Sequence, residues 1–501
     1  MGRIILNPTT KERPIISKGR FLHGHQCQKL LWVEHNAPEQ IPEPDAAQQA
    51  IFDQGHEVGA LAKQMYPDGV EVGQGITDFD GAIRTTKQAL KLRRPLFEAS
   101  FAASGGYCRV DILVPVKEDA WDLIEVKSTT GAKDIHLPDL AFQSWILMMT
   151  GMKIRRCFLM HINSDFVRSG PVDPKQFFTL VDLTNQVSGL AQTIEDNMDD
   201  MAKVIRLPQS PEVQIGSHCD DPFTCPLHDK CWAFLPKQNV TTLNRGGKKA
   251  FKLLGDGVVS IKDIPDNFRL TRNQEIQQRA VITGEPHIDR PAISAFLSQL
   301  KYPLSFMDFE TYTTAIPLFD GVQPYQQIPF QFSLHVVQSA GAQPEHYGFL
   351  AEGTNDPRPE FMRRLQAALP DTGSVLVYNA AFEESRLEEC CDLLPDYRSW
   401  YRKVERRIVD LLLPFRGFRY YHPDQLGSAS MKKVLPALTG RGYEELEIKD
   451  GGRASMEFLR VTFGDVPETE RQKVRQQLDR YCGLDTEGMV WILERLQKLA
   501  G

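Results

Sequence analysis

The sequence predicts a mixed α/β protein in two parts, separated by a small helical segment. Three observations carry this. The chain has 501 residues, more than one hydrophobic core usually organises, so two or three domains are expected. Runs with strand spacing alternate with runs of helical spacing through residues 20–235, and again from 301 onward. Between them, residues 236–300 change character, with short helical pieces cut by glycines. The expected domains are therefore 1–235, 236–300 and 301–501. The composition, 42% hydrophobic and 25% charged, is that of a soluble globular protein. No apolar run approaches the ~18 residues of a membrane span. The start "MGRIIL" leads into no apolar signal stretch, and Leu6 stands where a myristoylation motif needs Ser or Thr. A cytoplasmic protein with no membrane partner is expected.

In order along the first part, "AIFDQGHEVGALAKQMY" (50–66) puts Phe52, Val58, Leu61, Ala62 and Met65 on one side of a helix. "YCRVDILVPV" and "AWDLIEVKS" are two strands joined by the turn "KED", a hairpin. "LPDLAFQSWILMMTG" is a helix ended by Gly151, and "IRRCFLMHI" is the next strand. A helix over 183–205 then leads into a cysteine cluster.

Glu125 and Lys127 lie two apart, so on a strand they share a face. Alone, such a pair is an ordinary exposed ion pair. Asp111 on the preceding strand, with thirteen residues between it and Glu125, gives it company. Metal-dependent phosphodiester hydrolysis needs two carboxylates converging on a divalent ion, and a cation beside the attacking water. Asp111, Glu125 and the Val126 carbonyl are candidate ligands, and Lys127 is the candidate cation. This pattern resembles the PD-(D/E)XK nuclease superfamily, in particular its RecB-like branch. The resemblance implies a restriction-endonuclease-like domain using Mg²⁺ or Mn²⁺, with His56 as a further ligand from the upstream helix. It also implies a role for Gln143 in the helix after the lysine, with Trp145 in place of a later tyrosine. Glu98 would support the site from behind.

Nine cysteines in a cytosolic chain are not expected to pair as disulfides. Cys108, Cys157, Cys390, Cys391 and Cys482 sit in apolar surroundings and read as core residues. Cys219, Cys225 and Cys231 are evenly spaced in "HCDDPFTCPLHDKCW" and look like a metal site short of one ligand. RecB-like nucleases of the AddB kind, and a related CRISPR-associated nuclease, hold one N-terminal and three C-terminal cysteines on a [4Fe-4S] cluster. The resemblance implies Cys27 of "HGHQCQKLLWVEH" as the fourth ligand. Four thiolates suit Zn²⁺ as well as an iron–sulfur cluster. The wide split and the lack of a Cys-x-x-Cys knuckle favour the cluster, acting as a structural staple.

Net charge is −7, so binding to nucleic acid would have to use local basic patches. One is "KQNVTTLNRGGKKAFK" (237–252), within which Arg245, Lys248 and Lys249 are the candidate contacts; another is "YRSWYRKVERR" (397–407). Either is equally readable as a solvated face. "TTLNRGGKKAFKLLGDGVVSIKDI" has the outline of a helix-hairpin-helix.

The last part opens on the strand "LSFMDFETY", with Asp308 and Glu310 two apart on one face. "SVLVYNAAFEESRLEE" follows as strand then helix, carrying Asn379 and Glu383. "LDRYCGLDTEGMVWILERL" puts Tyr481 and Asp485 one turn apart on a helix. Carboxylates from a strand, a middle helix and a late helix suit a two-metal phosphodiesterase. The set resembles the DnaQ-like DEDD exonucleases of the subtype with a tyrosine in the third motif, which have a ribonuclease-H-like fold. It departs from them at Glu383, where aspartate is usual. The resemblance implies Mg²⁺ or Mn²⁺ held by Asp308, Glu310, Glu383 and Asp485, with Tyr481 orienting the water. Asp410 in "RRIVDLLLPF" lies where such folds carry a further acidic residue, and "GSASMKKVLPAL" (427–438) resembles the helix start before the third motif.

Together these resemblances imply a two-headed metal-dependent nuclease acting on DNA, through single-stranded ends, in repair, recombination or defence. RNA is the alternative substrate. A nucleic-acid-binding protein with a degenerate exonuclease domain is the alternative of a different class. No Walker motif is present, so a helicase or defence partner would be a separate protein.

Overall fold

Apolar side chains alternating along successive strands build a mixed sheet in the N-terminal half. The computed structural model describes residues 14–72, 78–117 and 119–501; "MGRIIL" and Glu118 of the "KED" turn lie outside them. Two compact units divide the chain. One holds the described residues through Ala233 together with Thr314–Tyr325, the other Phe234–Thr313 and Gln326–Gly501. No helix among the described residues is long and apolar enough to cross a membrane.

Among its described residues the first unit has seven strands: β1 (Ile16–Ser17), β2 (Val70–Glu71), β3 (Leu96–Ala103), β4 (Gly106–Pro115), β5 (Ala120–Lys127), β6 (Lys153–Ile162) and β7 (Phe178–Asp182). Their order is β2-β3-β4-β5-β6-β7, with β1 added along β4. The expected hairpin is β4 and β5, antiparallel, with Pro115 opposite Trp121 and Ile112 opposite Ile124. The helix His136–Met149 makes the crossover that sets β6 parallel to β5. Both faces are covered. Trp121, Leu123, Leu159 and Trp145 share one cluster, and Ile112, Ile124, Met160 and Val58 share another. Val58 comes from the helix Ala46–Lys63, whose start carries a reciprocal cap between Asp45 and Gln48. The helix expected over 183–205 is two helices, Thr184–Ser188 and Ala191–Ile205, separated at Gly189.

The second unit contains β8 (His287–Ile288), β9 (Leu304–Tyr312), β10 (Ile328–Val337), β11 (Glu345–Leu350), β12 (Ser374–Val377), β13 (Ile408–Asp410) and β14 (Tyr420–Tyr421). Five of them form a sheet in the order β11-β10-β9-β12-β13, while β14 pairs with β8. β9, β10 and β11 run antiparallel; β12 and β13 lie parallel to β9. Met307 and Phe309 enter one core with Phe361 and Val377. The even-numbered residues of β9 face the other way, where Tyr312 stacks on Phe458 of the helix Gly451–Phe463. The 33-residue helix Glu468–Ala500 also packs on β9 and β10.

The middle segment belongs to this second unit. It holds the helix Lys248–Gly255, then a 3-10 turn, Ile261–Asp263, before the helices Arg272–Thr283 and Arg290–Leu297. The second helix of a helix-hairpin-helix does not form after the glycine turn. Pro265 follows immediately, and the residue before a proline is driven out of helical conformation.

Candidate functional site

On β5 the row Trp121, Leu123 is buried beneath the helix His136–Met149, and by alternation Glu125 and Lys127 continue it. The row turns from apolar to charged at the carboxyl end of the strand. Glu125 is 1% exposed. Its Oε1 accepts from Lys127 Nζ at 2.7 Å and from Lys18 Nζ at 2.8 Å, and its Oε2 accepts from Gln143 Nε2 at 2.7 Å. Asp139, in the first turn of the helix, accepts from Lys127 at 2.6 Å and from Gln143 at 2.9 Å. The β4–β5 ladder stops at Ile112 and Ile124; beyond it, the Val126 N–H donates to Asp111 Oδ2 at 2.8 Å. Asp111, Glu125, Lys127 and Gln143 are thus brought together as the sequence predicts.

Charge is distributed unevenly here. Burial followed by the charge on Glu125 pushes the Asp111 carboxyl up to about 7. Burial opposes ionisation of Glu125 as well, yet Lys127 and Lys18 hold it well below the ordinary carboxylate range. Burial also opposes the charge on Lys127, and Glu125 and Asp139 outweigh it, keeping the ammonium fully charged. Lys18 and Asp139 escaped the sequence reading: one is a lone lysine 107 residues from Glu125, the other an acid in an apolar helix. His56 is not drawn in; it is exposed on its helix. Glu98, on β3, pairs with Lys63 at 3.1 Å.

Cys27, Cys219, Cys225 and Cys231 line one small cavity of the first unit. Burial raises the Cys27 thiol, with Cys219 and Cys231 adding to it and the amides of Leu30 and Lys29 opposing. Burial carries Cys225 up to about 11, where the other three cysteines also act on it. These donors suit a thiolate-bound centre: four sulfurs, an apolar surround of Leu30, Val33 and Leu227, and amides near two of the sulfurs. Among the described residues, no three of these sulfurs lie within 4.8 Å of one another. A tetrahedral zinc with Zn–S near 2.3 Å needs sulfurs ~3.8 Å apart.

In the second unit, Asp308 and Glu310 from β9 and the sulfur of Cys482 fall within 4.8 Å of one another, by one ligand atom each. Asp485 and Tyr481 come from the helix Glu468–Ala500, and Glu383 from the first turn of the helix Ala380–Leu393. Burial, then Asp485, Glu310 and Glu383, drive Asp308 well above its ordinary range. Glu310 rises likewise, by burial and then Asp485. Burial takes Glu383 to about 8, and takes Asp485 to about 6 against the opposing hydrogen bond from Tyr443. Glu383 Oε2 is buried and has no hydrogen-bond partner. Burial raises all four carboxylates, and Asp485 and Glu383 add to the rise of both Asp308 and Glu310, which makes a pocket of negative charge that a cation would relieve. Lys432 is the cation acting on Glu310 and Asp485, with its Nζ 5.8 Å from the Tyr481 ring.

Asp410 and Asn379 stand beside this group. Asp410 Oδ1 accepts from the Asn379 N–H at 3.0 Å and the Leu412 N–H at 2.9 Å, bracing the turn in which Asn379 takes φ 88°. Tyr443, whose hydroxyl donates to Asp485, and Cys482 are further members that the sequence reading missed. Nothing in "GRGYEEL" marks the tyrosine, and Cys482 lies between Tyr481 and Gly483 with nothing in its own spacing to mark it as a ligand. Arg245 and Lys248 are exposed, and Lys249 is partly so. Arg245 lines a cavity with Asn379, whereas Lys249 donates to the Arg269 carbonyl.

Comparison with known proteins adds family likeness. A family model described as "Domain of unknown function (DUF2779)" matches residues 305–430, which span β9 through the start of "SMKKVLPAL". A Mycoplasma genitalium protein with the printed name "Uncharacterized protein MG366" is 26% identical over 223 residues, 40% of this chain and 33% of its own length. Its Mycoplasma pneumoniae homolog is 25% identical over 215 residues, 39% of this chain and 32% of its own. The chain spans about a third of the length of the curated relatives it matches.

Proposed function

We propose that this chain is a metal-dependent nuclease that hydrolyses DNA phosphodiester bonds at two sites. The observation that carries the reading is the carboxylate group of the second unit. Asp308, Glu310, Glu383 and Asp485 arrive from three separate elements, all are raised by burial, Asp485 and Glu383 raise both Asp308 and Glu310 further, and Glu383 Oε2 is left buried without a partner. Divalent ions such as Mg²⁺ or Mn²⁺, when bound there, would supply charge neutralisation and an acidified water. Asp308, Glu310, Glu383 and Asp485 would hold them. Tyr481, one helical turn from Asp485, would orient the attacking water, and Lys432 would offset charge on the phosphate. Water attack at phosphorus would release the 3′ oxygen and yield a nucleoside 5′-monophosphate. The five-stranded sheet, three antiparallel strands extended by two parallel ones, supports a ribonuclease-H-like reading of this unit.

In the first unit, the hairpin delivering Asp111, Glu125 and Lys127 supports a PD-(D/E)XK site. The four-cysteine cavity supports a [4Fe-4S] staple beside it, with Zn²⁺ the alternative. One observation favours a second reading of this unit. Glu125 is already neutralised by Lys18 and Lys127, and His56 is exposed, as would suit a nucleic-acid-binding platform. Anaerobically purified protein with Mn²⁺ or Mg²⁺ tests both readings on end-labelled single- and double-stranded DNA and RNA. Lys127→Ala and Asp308→Ala are each expected to remove a distinct set of products, and the double change all of them. Loss with Asp308→Ala alone would make the first unit a platform. No cutting by folded, metal-loaded wild type would overturn the nuclease reading.

A further inference from the structure

A cavity of about 730 Å³ lies in the second unit, at the carboxyl ends of β12 and β13. That is where parallel strands present ligands. Its wall holds Arg245 and Arg416, the hydroxyls of Tyr378, Ser428 and Ser430, and the amide of Asn379. It contains no aspartate or glutamate, in a chain of net charge −7. Another large cavity of this unit is lined by Glu352, Asp356, Glu360 and Asp479 together with Arg364 and Arg475, so a carboxylate-free wall is a local property.

The wall is rigid. Asn244, next to Arg245, donates from Nδ2 to the Gly427 carbonyl at 2.7 Å, and its N–H donates to Gln277 Oε1 at 2.7 Å. Buried Gln277 and Gln274 donate in turn to the carbonyls of Thr242 and Asn244 at 2.9 Å. The approach is so close that a Cβ on Gly427, at φ 74°, would lie 2.1 Å from the Thr242 oxygen. On the opposite side, Arg416 donates to Asn379 Oδ1 at 3.2 Å. Two elements lead from this wall to the carboxylates. Glu383 follows Asn379 by about one helical turn, and Lys432 follows Met431 of the cavity lining.

We propose that this cavity is a groove for a single-stranded nucleic acid. Arg245 and Arg416 pair with its phosphates and lead its end to the carboxylate group. The proposal rests on the nuclease reading of the second unit, and names its substrate path. The basic stretch around Arg245 then serves this site and not a separate helix-hairpin-helix. Arginine suits the task because its planar donors grip phosphate oxygens while remaining charged.

The test is binding of fluorescein-labelled oligothymidylate and oligouridylate to the full chain in EDTA, which silences cutting, across a salt series. Arg245→Ala with Arg416→Ala is expected to weaken binding ~10- to 100-fold. It should also flatten the slope of log affinity against log salt by ~1.4, at about 0.7 per phosphate contact. Arg416→Lys, which keeps the charge beside Asn379, should retain most of the salt slope. Unchanged affinity and slope in the folded double variant would overturn the groove, as would wild type that binds neither strand. Competition by thymidine monophosphate at equal concentration would make the cavity a nucleotide pocket and overturn the strand path. If the variants lose binding while wild type never cuts with Mn²⁺, the groove stands and the nuclease reading fails. If wild type cuts and the variants bind normally, the reverse holds.

Discussion

Replacing Asp308 with asparagine is expected to make the metal-free protein more stable and to abolish the stabilisation that Mn²⁺ gives the second unit. Asp308 is surrounded by carboxylates, and burial together with Asp485, Glu310 and Glu383 raises its affinity for a proton. An amide of the same shape removes one repelling charge. The pH dependence follows from the same shifts. Glu383 titrates near 8 and Asp485 near 6 in the fold, whereas carboxyls in the unfolded chain titrate near 4. Between about pH 7 and 8, above the range in which histidines lowered by burial such as His335 titrate, the folded state therefore binds more protons than the unfolded one, and stability falls as pH rises. In EDTA, wild type should lose thermal stability steadily across that window, and Asp308→Asn should lose less and melt a few degrees higher near pH 8. Saturating Mn²⁺ should reverse the order. Loss of a metal ligand should also cost at least ~100-fold in cleavage by this site, equivalent to ~2.7 kcal/mol. A melting point that rises with pH across that window in EDTA would contradict the picture.

Cys219→Ser should have the largest structural effect. Cys27 and Cys219 are separated by 192 positions, so a centre joining them closes a very long loop. By the entropy of a cross-link of that size, the closure is worth ~5 kcal/mol, and metal–thiolate binding adds directly to folding. Anaerobic wild type is expected to be brown, with iron and acid-labile sulfide in equal amounts. Cys219→Ser should be colourless and melt far lower, or lose its N-terminal segment to proteolysis first. Zinc alone in the wild type, without iron-to-sulfur absorption, would mean the mononuclear alternative.

Much of this was legible because strand and helix periods place chemistry on faces. The alternation around Glu125 and Lys127, and around Asp308 and Glu310, predicted strands and a shared side, and both hold in β5 and β9. The one-turn spacing of Tyr481 and Asp485 did the same for a helix. What escaped came from tertiary convergence. Lys18, Asp139 and Tyr443 each look ordinary in sequence and gain meaning from a partner distant in the chain. Cys482 read as core, and it is buried, yet its sulfur also meets Asp308 and Glu310. Residues 314–325 were read with the C-terminal part, but Arg168 binds the Pro317 and Leu318 carbonyls and Gln54 binds the Ala315 N–H. Backbone hydrogen bonding of that kind leaves no periodic trace.

The most direct test is the number of Mn²⁺ ions retained per chain, measured by paramagnetic resonance on metal-stripped protein titrated with Mn²⁺, for wild type against Asp308→Ala. Two fewer tightly held ions in the variant, with an unchanged circular dichroism spectrum, is the result predicted for a two-metal carboxylate centre. Equal counts in the two proteins would mean that the buried carboxylates of the second unit do not hold the ions, and the proposed chemistry there would fall.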